Sequence, residues 1–190
     1  MDGLLEMARA VKAIPDRLLH RSRYLATSRI LGAQAGRRRA LVVCHGNICR
    51  SPFAEQVLSL ELKPLGVEVG SAGFLAAGRP CPPEAVQAAR QFGIDLSEHR
   101  SRPLTVPGVR AADLIVVMDS RQAAAIPAMF GTRSPVVMLG DCDPQSPDTR
   151  AITDPVAQPL QTFLEVYSRI ERCVNQLAAM VRRGGDLGAR

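Results

Sequence analysis

From residue 40 onward, short apolar runs alternate with longer segments whose apolar residues return every three or four positions. That alternation predicts strands and helices in turn. Ala40 to Val43 reads as a strand, followed by a turn and a helix from about Pro52 to Leu62. Val67 to Ser71 is the second strand, and Pro82 to Phe92 a helix that ends at Gly93. Leu114 to Met118 is apolar throughout, as expected of a strand covered on both faces, and a helix from about Ser120 to Met129 follows it. Val136 to Leu139 is the fourth strand. In the last helix Leu160, Phe163, Leu164, Tyr167, Ile170, Val174, Leu177 and Val181 share one stripe, with Arg169, Glu171 and Arg172 turned outward. Strands separated by helices indicate an α/β fold with a parallel sheet, and such sheets bind ligands beyond the carboxyl ends of their strands. The turn after Val43 is therefore the first place to look for chemistry.

Ahead of this domain the pattern differs. Leu4, Leu5, Ala8, Val11 and Ile14 recur at helical spacing until Pro15, and Leu18, Leu19, Leu25, Ile30 and Leu31 suggest a second helical stretch before Gly32 and Gly36 loosen the chain. The formal charge of +6 lies in this segment: residues 1–39 hold nine Lys or Arg against three Asp or Glu, and the rest is balanced at 15 of each. The basic balance thus belongs to an extension, residues 1–39, and not to the domain, residues 40–190, so no nucleic-acid partner is expected. A basic helix of this kind either packs on its domain or trails in solvent, or else meets an anionic membrane or a protein partner. Removing it is expected to leave the chemistry unchanged.

At 190 residues, 46% of them hydrophobic, the chain suits one globular domain plus an appendage. No run approaches the length of a membrane span, and no signal peptide is recognisable, so a cytoplasmic, monomeric protein is expected. The five cysteines, Cys44, Cys49, Cys81, Cys142 and Cys173, are odd in number and lack the paired spacing of a zinc site, which disfavours a disulfide scaffold or structural metal.

The turn after Val43 reads Cys44, His45, Gly46, Asn47, Ile48, Cys49, Arg50, Ser51, Pro52. Backbone N–H groups of a tight turn that opens a helix converge on one point and favour an anion there, with Gly46 permitting the turn and Asn47 tolerating an unusual backbone angle. Arg50 offers a planar fork to two phosphate oxygens. Cys44 lies beneath, where the same field favours a thiolate, and Ser51 can donate a hydrogen bond to its sulfur. Pro52 fits the first helical turn. Together these residues point to nucleophilic attack on phosphorus and a phosphocysteine intermediate cleared by water, a scheme that needs no metal or cofactor. The blander alternative makes Cys44 a small buried hydrophobe in a tight connection. A Walker A loop fits poorly, because lysine is absent and the glycine spacing is wrong.

From Cys44 to Pro52 the sequence resembles the low-molecular-weight protein tyrosine phosphatases, whose signature is C-x-G-N-x-C-R-S-P. The likeness continues through Ser71-Ala72-Gly73, Gly93-Ile94-Asp95-Leu96-Ser97, His99-Arg100-Ser101-Arg102 and Met118-Asp119. It implies a four-stranded parallel sheet in the order 2-1-3-4, phosphotyrosine protein or a small phosphate ester as substrate, and an acid in an Asp-Pro pair ahead of the last helix. Two such pairs exist, Asp143-Pro144 and Asp154-Pro155, and the family register selects Asp154. The resemblance also assigns Asn47, Ser51, Ser71 and His99 to a network that holds the loop; Asp119, at the carboxyl end of a strand, is a weaker candidate for the same support, and His45, inside the loop, is expected at its rim. Cys49 becomes a candidate for a protective disulfide with Cys44.

The aromatic walls common in this family are missing: Val156 stands at one position and Ala77 at the other, with Phe53 and Phe74 left as substitutes. Two rivals therefore stay open. An arsenate reductase would use the same cradle with further relay cysteines, and a non-catalytic phosphate-binding module would make its contacts through the extension.

Overall fold

The computed structural model describes the backbone of residues 2–33, 36, 38–145 and 147–187, and within these limits the side chains of residues 16–183. Strands β1 (Arg39–Cys44), β2 (Glu68–Gly73), β3 (Leu114–Val117) and β4 (Val136–Met138) form one parallel sheet in the order β2-β1-β3-β4. Central β3 is buried along its whole length, which explains its unbroken apolar run. Between the strands lie α2 (Arg50–Leu62), α3 (Pro83–Arg90), α4 (Val106–Ala111) and α5 (Ser120–Phe130), and α6 (Leu160–Leu187) ends the fold.

The pleat of the sheet divides the core in two. Val42 and Cys44 of β1 join the larger cluster, with Phe53, Leu58, Phe163, Tyr167 and Leu177 of α2 and α6, while Val43 joins Val109, Ile115, Val117 and Ile126 on the opposite face. Successive residues Val43 and Cys44 thus face opposite layers, and the chain leaves β1 with its last side chain on the α2 side. From β1 the connection runs first to β2 on one side and later to β3 on the other, so the carboxyl end of β1 is the switch point of the sheet.

Several local expectations are corrected. Helix α4 has no counterpart among the elements read from the sequence; its Pro107 sits in the first turn, where the missing N–H is harmless, and Thr105 Oγ1 caps the helix by accepting from Gly108 N at 3.1 Å. Arg169 and Arg172 do not turn outward. They donate at 2.9–3.1 Å to the carboxylate of Asp143, which is fully buried; burial works to raise its pKa, but these donors together with Gln145 N hold it below the usual carboxylate range.

The extension forms a single helix, α1 (Asp2–Gly32), which continues through Pro15. A proline forfeits one bond of the helical ladder, and the contacts of the following turn outweigh that loss. The apolar positions Leu4 to Ile14 fall outside the described side chains. Beyond them α1 packs on α6: Leu31 enters the larger core, Thr27 and His20 are buried, and Tyr24 Oη accepts from Gln176 Nε2. Leu18, Leu19, Leu25 and Ile30 are exposed. No helix among the described residues is long and apolar enough to cross a membrane.

Candidate active site

Cys44 ends β1 and Arg50 opens α2, so the loop between them spans the gap from sheet to helix and the amino-terminal end of α2 faces back toward the sulfur. Cys44 Sγ accepts hydrogen bonds from Asn47 N at 3.2 Å and from Ser51 Oγ at 3.0 Å. A sulfur held by two donors suits an anion rather than an apolar contact.

The turn owes its shape to Asn47, whose φ of 51° lies in the left-handed region that few side chains accept. Asn47 is buried, and every polar group of its side chain is used. Its Nδ2 donates to Ser51 Oγ at 2.9 Å and Ser71 Oγ at 2.7 Å, and its Oδ1 accepts from Arg102 N at 2.8 Å. Because the amide donates to both hydroxyls, each hydroxyl is free to donate onward. Ser51 does so to Cys44 Sγ, and Ser71 to Glu55 Oε2 at 2.6 Å. The Asn47 carbonyl accepts from His99 Nε2 at 2.8 Å, which fixes the proton on that nitrogen. Burial lowers the His99 pKa, against the opposing pull of this hydrogen bond, so the ring is a neutral donor at neutral pH.

Arg50 is buried at the start of α2. Its Nη1 donates to Ile152 O at 3.1 Å and its Nη2 pairs with Asp154, while its Nε has no hydrogen-bond partner. A buried guanidinium N–H without an acceptor is costly, and an oxyanion bound in the loop would supply one. Above the loop lies a hollow of about 100 Å³ lined by Cys44, Arg50, Asp154, Ile48, Leu75 and Val156, with Arg79 and His45 at its border. A broader groove of about 710 Å³ shares His45, Arg50 and Asp154 with it and adds Phe74, Asp119 and Arg121.

The sequence-predicted residues therefore come together with three corrections. Asp119 lies outside the loop network: its two oxygens accept from Gln122 N at 2.9 Å and Gln122 Nε2 at 2.6 Å, making it the cap of α5 on the groove wall. Phe53 is fully buried and stacks on Tyr167 at 4.0 Å, so it cannot wall the mouth. Leu75, not Ala77, lines the hollow together with Val156.

Glu55, Arg102 and Tyr167 were missed. Arg102 Nη2 donates to both oxygens of Glu55 at 2.5–2.7 Å, closing the network beneath the loop. Tyr167 Oη donates to the Cys49 carbonyl at 3.2 Å. Glu55 stands one helical turn beyond Ser51, a spacing that could have flagged it.

Gly73 supplies a sharp test of this packing. A Cβ there would stand 2.8 Å from both Asn47 N and His45 O, backbone atoms that cannot swing aside. Gly73→Ala is expected to displace the loop, lowering kcat at least about tenfold and destabilising the fold by about 1–3 kcal/mol. Steady-state kinetics and urea unfolding measure the two effects separately.

Comparison with known proteins agrees with this geometry. The family model for low molecular weight phosphotyrosine protein phosphatase matches residues 39–186. A curated relative, the probable low molecular weight protein-tyrosine-phosphatase EpsP of Ralstonia nicotianae, is 41% identical over 150 residues, covering 76% of this chain and 97% of its own. Among solved structures, Vibrio vulnificus Wzb in complex with benzylphosphonate superposes with a TM-score of 0.67 at 31% identity, over 76% of this chain and 99% of that one. The YwlE arginine phosphatase from Geobacillus stearothermophilus also reaches 0.67, at 27% identity, over 76% and 93%. The chain belongs to the low molecular weight phosphotyrosine protein phosphatase family.

Proposed function

We propose that this phosphatase hydrolyses protein phosphotyrosine in two steps through a phosphocysteine. The observation that carries the reading is the meeting of Cys44 Sγ, held by Ser51 and Asn47 N, with the unpartnered Nε of Arg50 and the carboxyl of Asp154 around one small hollow. In the first step the thiolate attacks phosphorus, the S–P bond forms and the bond to the substrate oxygen breaks as Asp154 gives that oxygen its proton. Arg50 and the loop amides other than Asn47 N, which is turned to the sulfur, hold the three equatorial oxygens, whose charge they meet throughout the in-line displacement. In the second step the Asp154 carboxylate takes a proton from water, the water oxygen attacks phosphorus and the S–P bond breaks. Ser51 Oγ then stabilises the departing thiolate through its hydrogen bond.

Two features favour this over the rival readings. Cys49 and Cys81, the other thiols nearest the loop, are pushed up by burial, and by the neighbouring Cys44, Cys81 to about 12. Protonated thiols make poor relay nucleophiles, which disfavours arsenate reduction. Arg79, which lines the hollow and pairs with no carboxylate among the described residues, would repel the guanidinium that a phosphoarginine carries next to its phosphoryl group while attracting acidic residues beside a phosphotyrosine. Leu75 and Val156 then bracket the phenol ring as aliphatic walls.

The purified protein should be assayed side by side with peptides carrying phosphotyrosine or phosphoarginine, a sugar phosphate, and arsenate with a thiol reductant. The phosphotyrosine peptide is expected to give the highest kcat/KM by at least about tenfold. A preference for phosphoarginine, or turnover of arsenate alone, would overturn the assignment.

A further inference from the structure

We infer that one turn of α1, residues 16–20, is a positioning element for the loop that carries Asp154, an inference that rests on the role proposed above for that residue. Among the described residues, the hydrogen bonds this turn makes outside its own helix fall on residues 143–150. His20 Nε2 donates to the buried carbonyl of Asp143 at 2.8 Å, Asp16 Oδ2 accepts from Arg150 N at 3.3 Å, and Arg17 Nε donates to Asp148 Oδ1 at 2.6 Å. Asp16 is itself held by Arg23 Nη1 at 2.6 Å, so it grips the loop from a fixed position.

From the other side α6 grips the same segment. Arg169 donates to the Asp143 carboxylate, to Ala151 O at 2.9 Å and to Thr149 O at 2.6 Å. The segment also crosses itself tightly, since a Cβ on Gly140 would lie 1.9 Å from the carbonyl oxygen of Arg150. Beyond the crossing, Ile152 N donates to Met118 O at 2.9 Å and Ile152 O receives Arg50. Asp154 thus emerges at the hollow only three residues past Ala151, the end of a stretch clamped between α1 and α6.

Residues 1–38, and with them α1, lie outside the span matched by the family model, so this clamp is added to the shared fold. The charge distribution separates the extension from the chemistry; these contacts join them. An acid must meet the leaving oxygen within hydrogen-bond reach, and a displacement of about 1 Å far from the reacting atoms can cost up to about 100-fold in rate.

The test uses the full-length chain. His20→Ala removes the donor to Asp143 O and is expected to lower kcat/KM about tenfold for phenyl phosphate, a poor leaving group. With p-nitrophenyl phosphate, which needs little protonation in the first step, kcat/KM should stay within about twofold, as should inhibition by inorganic phosphate. Amide hydrogen exchange across residues 147–154 should quicken in the same variant. His20→Gln, whose amide can reach the same carbonyl, should restore both readouts. If His20→Ala does not fold, Arg17→Ala, which removes only an exposed pair, reads the same loop with a smaller effect. Equal losses on the two substrates, or unchanged exchange, would overturn the inference. Asp154→Asn lacking any leaving-group dependence would instead overturn the acid assignment, with the exchange still reporting on the clamp.

Discussion

Cys44→Ser is expected to reduce turnover by at least about 10⁴-fold while leaving inorganic phosphate bound. The substitution keeps a side chain of similar shape in the loop but replaces the polarisable sulfur proposed as nucleophile with a hydroxyl that stays protonated at neutral pH. Neither Ser51 nor Asn47 N, the two donors at the sulfur, can take that proton. Among the described residues no general base stands beneath the loop, since Glu55 is separated from Cys44 by the Ser71–Asn47–Ser51 chain of hydrogen bonds. Binding should persist because the anion is held by groups the substitution does not touch, Arg50 and the loop amides. Steady-state turnover of p-nitrophenyl phosphate and calorimetric titration with phosphate report the two properties independently. Undiminished turnover would mean that another group attacks phosphorus, and lost phosphate binding would mean that the sulfur itself shapes the cradle.

The parts of this molecule that were legible in its sequence are those encoded by neighbours along the chain. The strands up to Cys44 and through Leu114–Val117 show as apolar runs, and the loop from Cys44 to Ser51 is contiguous, so its nucleophile, turn residues and clamp could be read in order. Helix ends were less visible. Helix α4 went unread, and Pro15 suggested a break that tertiary contacts override. Least legible were the partnerships between distant residues. Nothing near Glu55 announces Arg102, and nothing near His20 announces the carbonyl of Asp143; both pairings exist only because the sheet order and the packing of α6 bring separate segments together. Asp119 misled for a related reason. A carboxylate at a strand's carboxyl end suits a ligand site, but here the helix that follows claims both its oxygens.

That a helix cap and a candidate acid line the same groove makes the assignment of Asp154 the second decisive experiment. Three carboxylates lie in reach of the argument, and their surroundings separate them. Asp143 is fully buried between Arg169 and Arg172, which favour its ionised form, so it has no proton to give and no path to the hollow. Asp119 is occupied by Gln122. Asp154 is partly exposed, lines the hollow beside Cys44, and rests against Arg50, a partner that a bound phosphate would draw away. Asp154→Asn is therefore expected to lower kcat/KM for phenyl phosphate by about 10²–10⁴-fold and for p-nitrophenyl phosphate far less. With the better leaving group the first step no longer depends on a donated proton, but the water of the second step still lacks its base. Phosphocysteine should then accumulate, visible as a burst of nitrophenol at the scale of one per enzyme in rapid-mixing experiments. Asp119→Asn, which retains a good helix cap, should keep the leaving-group dependence of the unaltered enzyme. A uniform loss across leaving groups in Asp154→Asn, or a selective one in Asp119→Asn, would move the acid to the other wall of the groove.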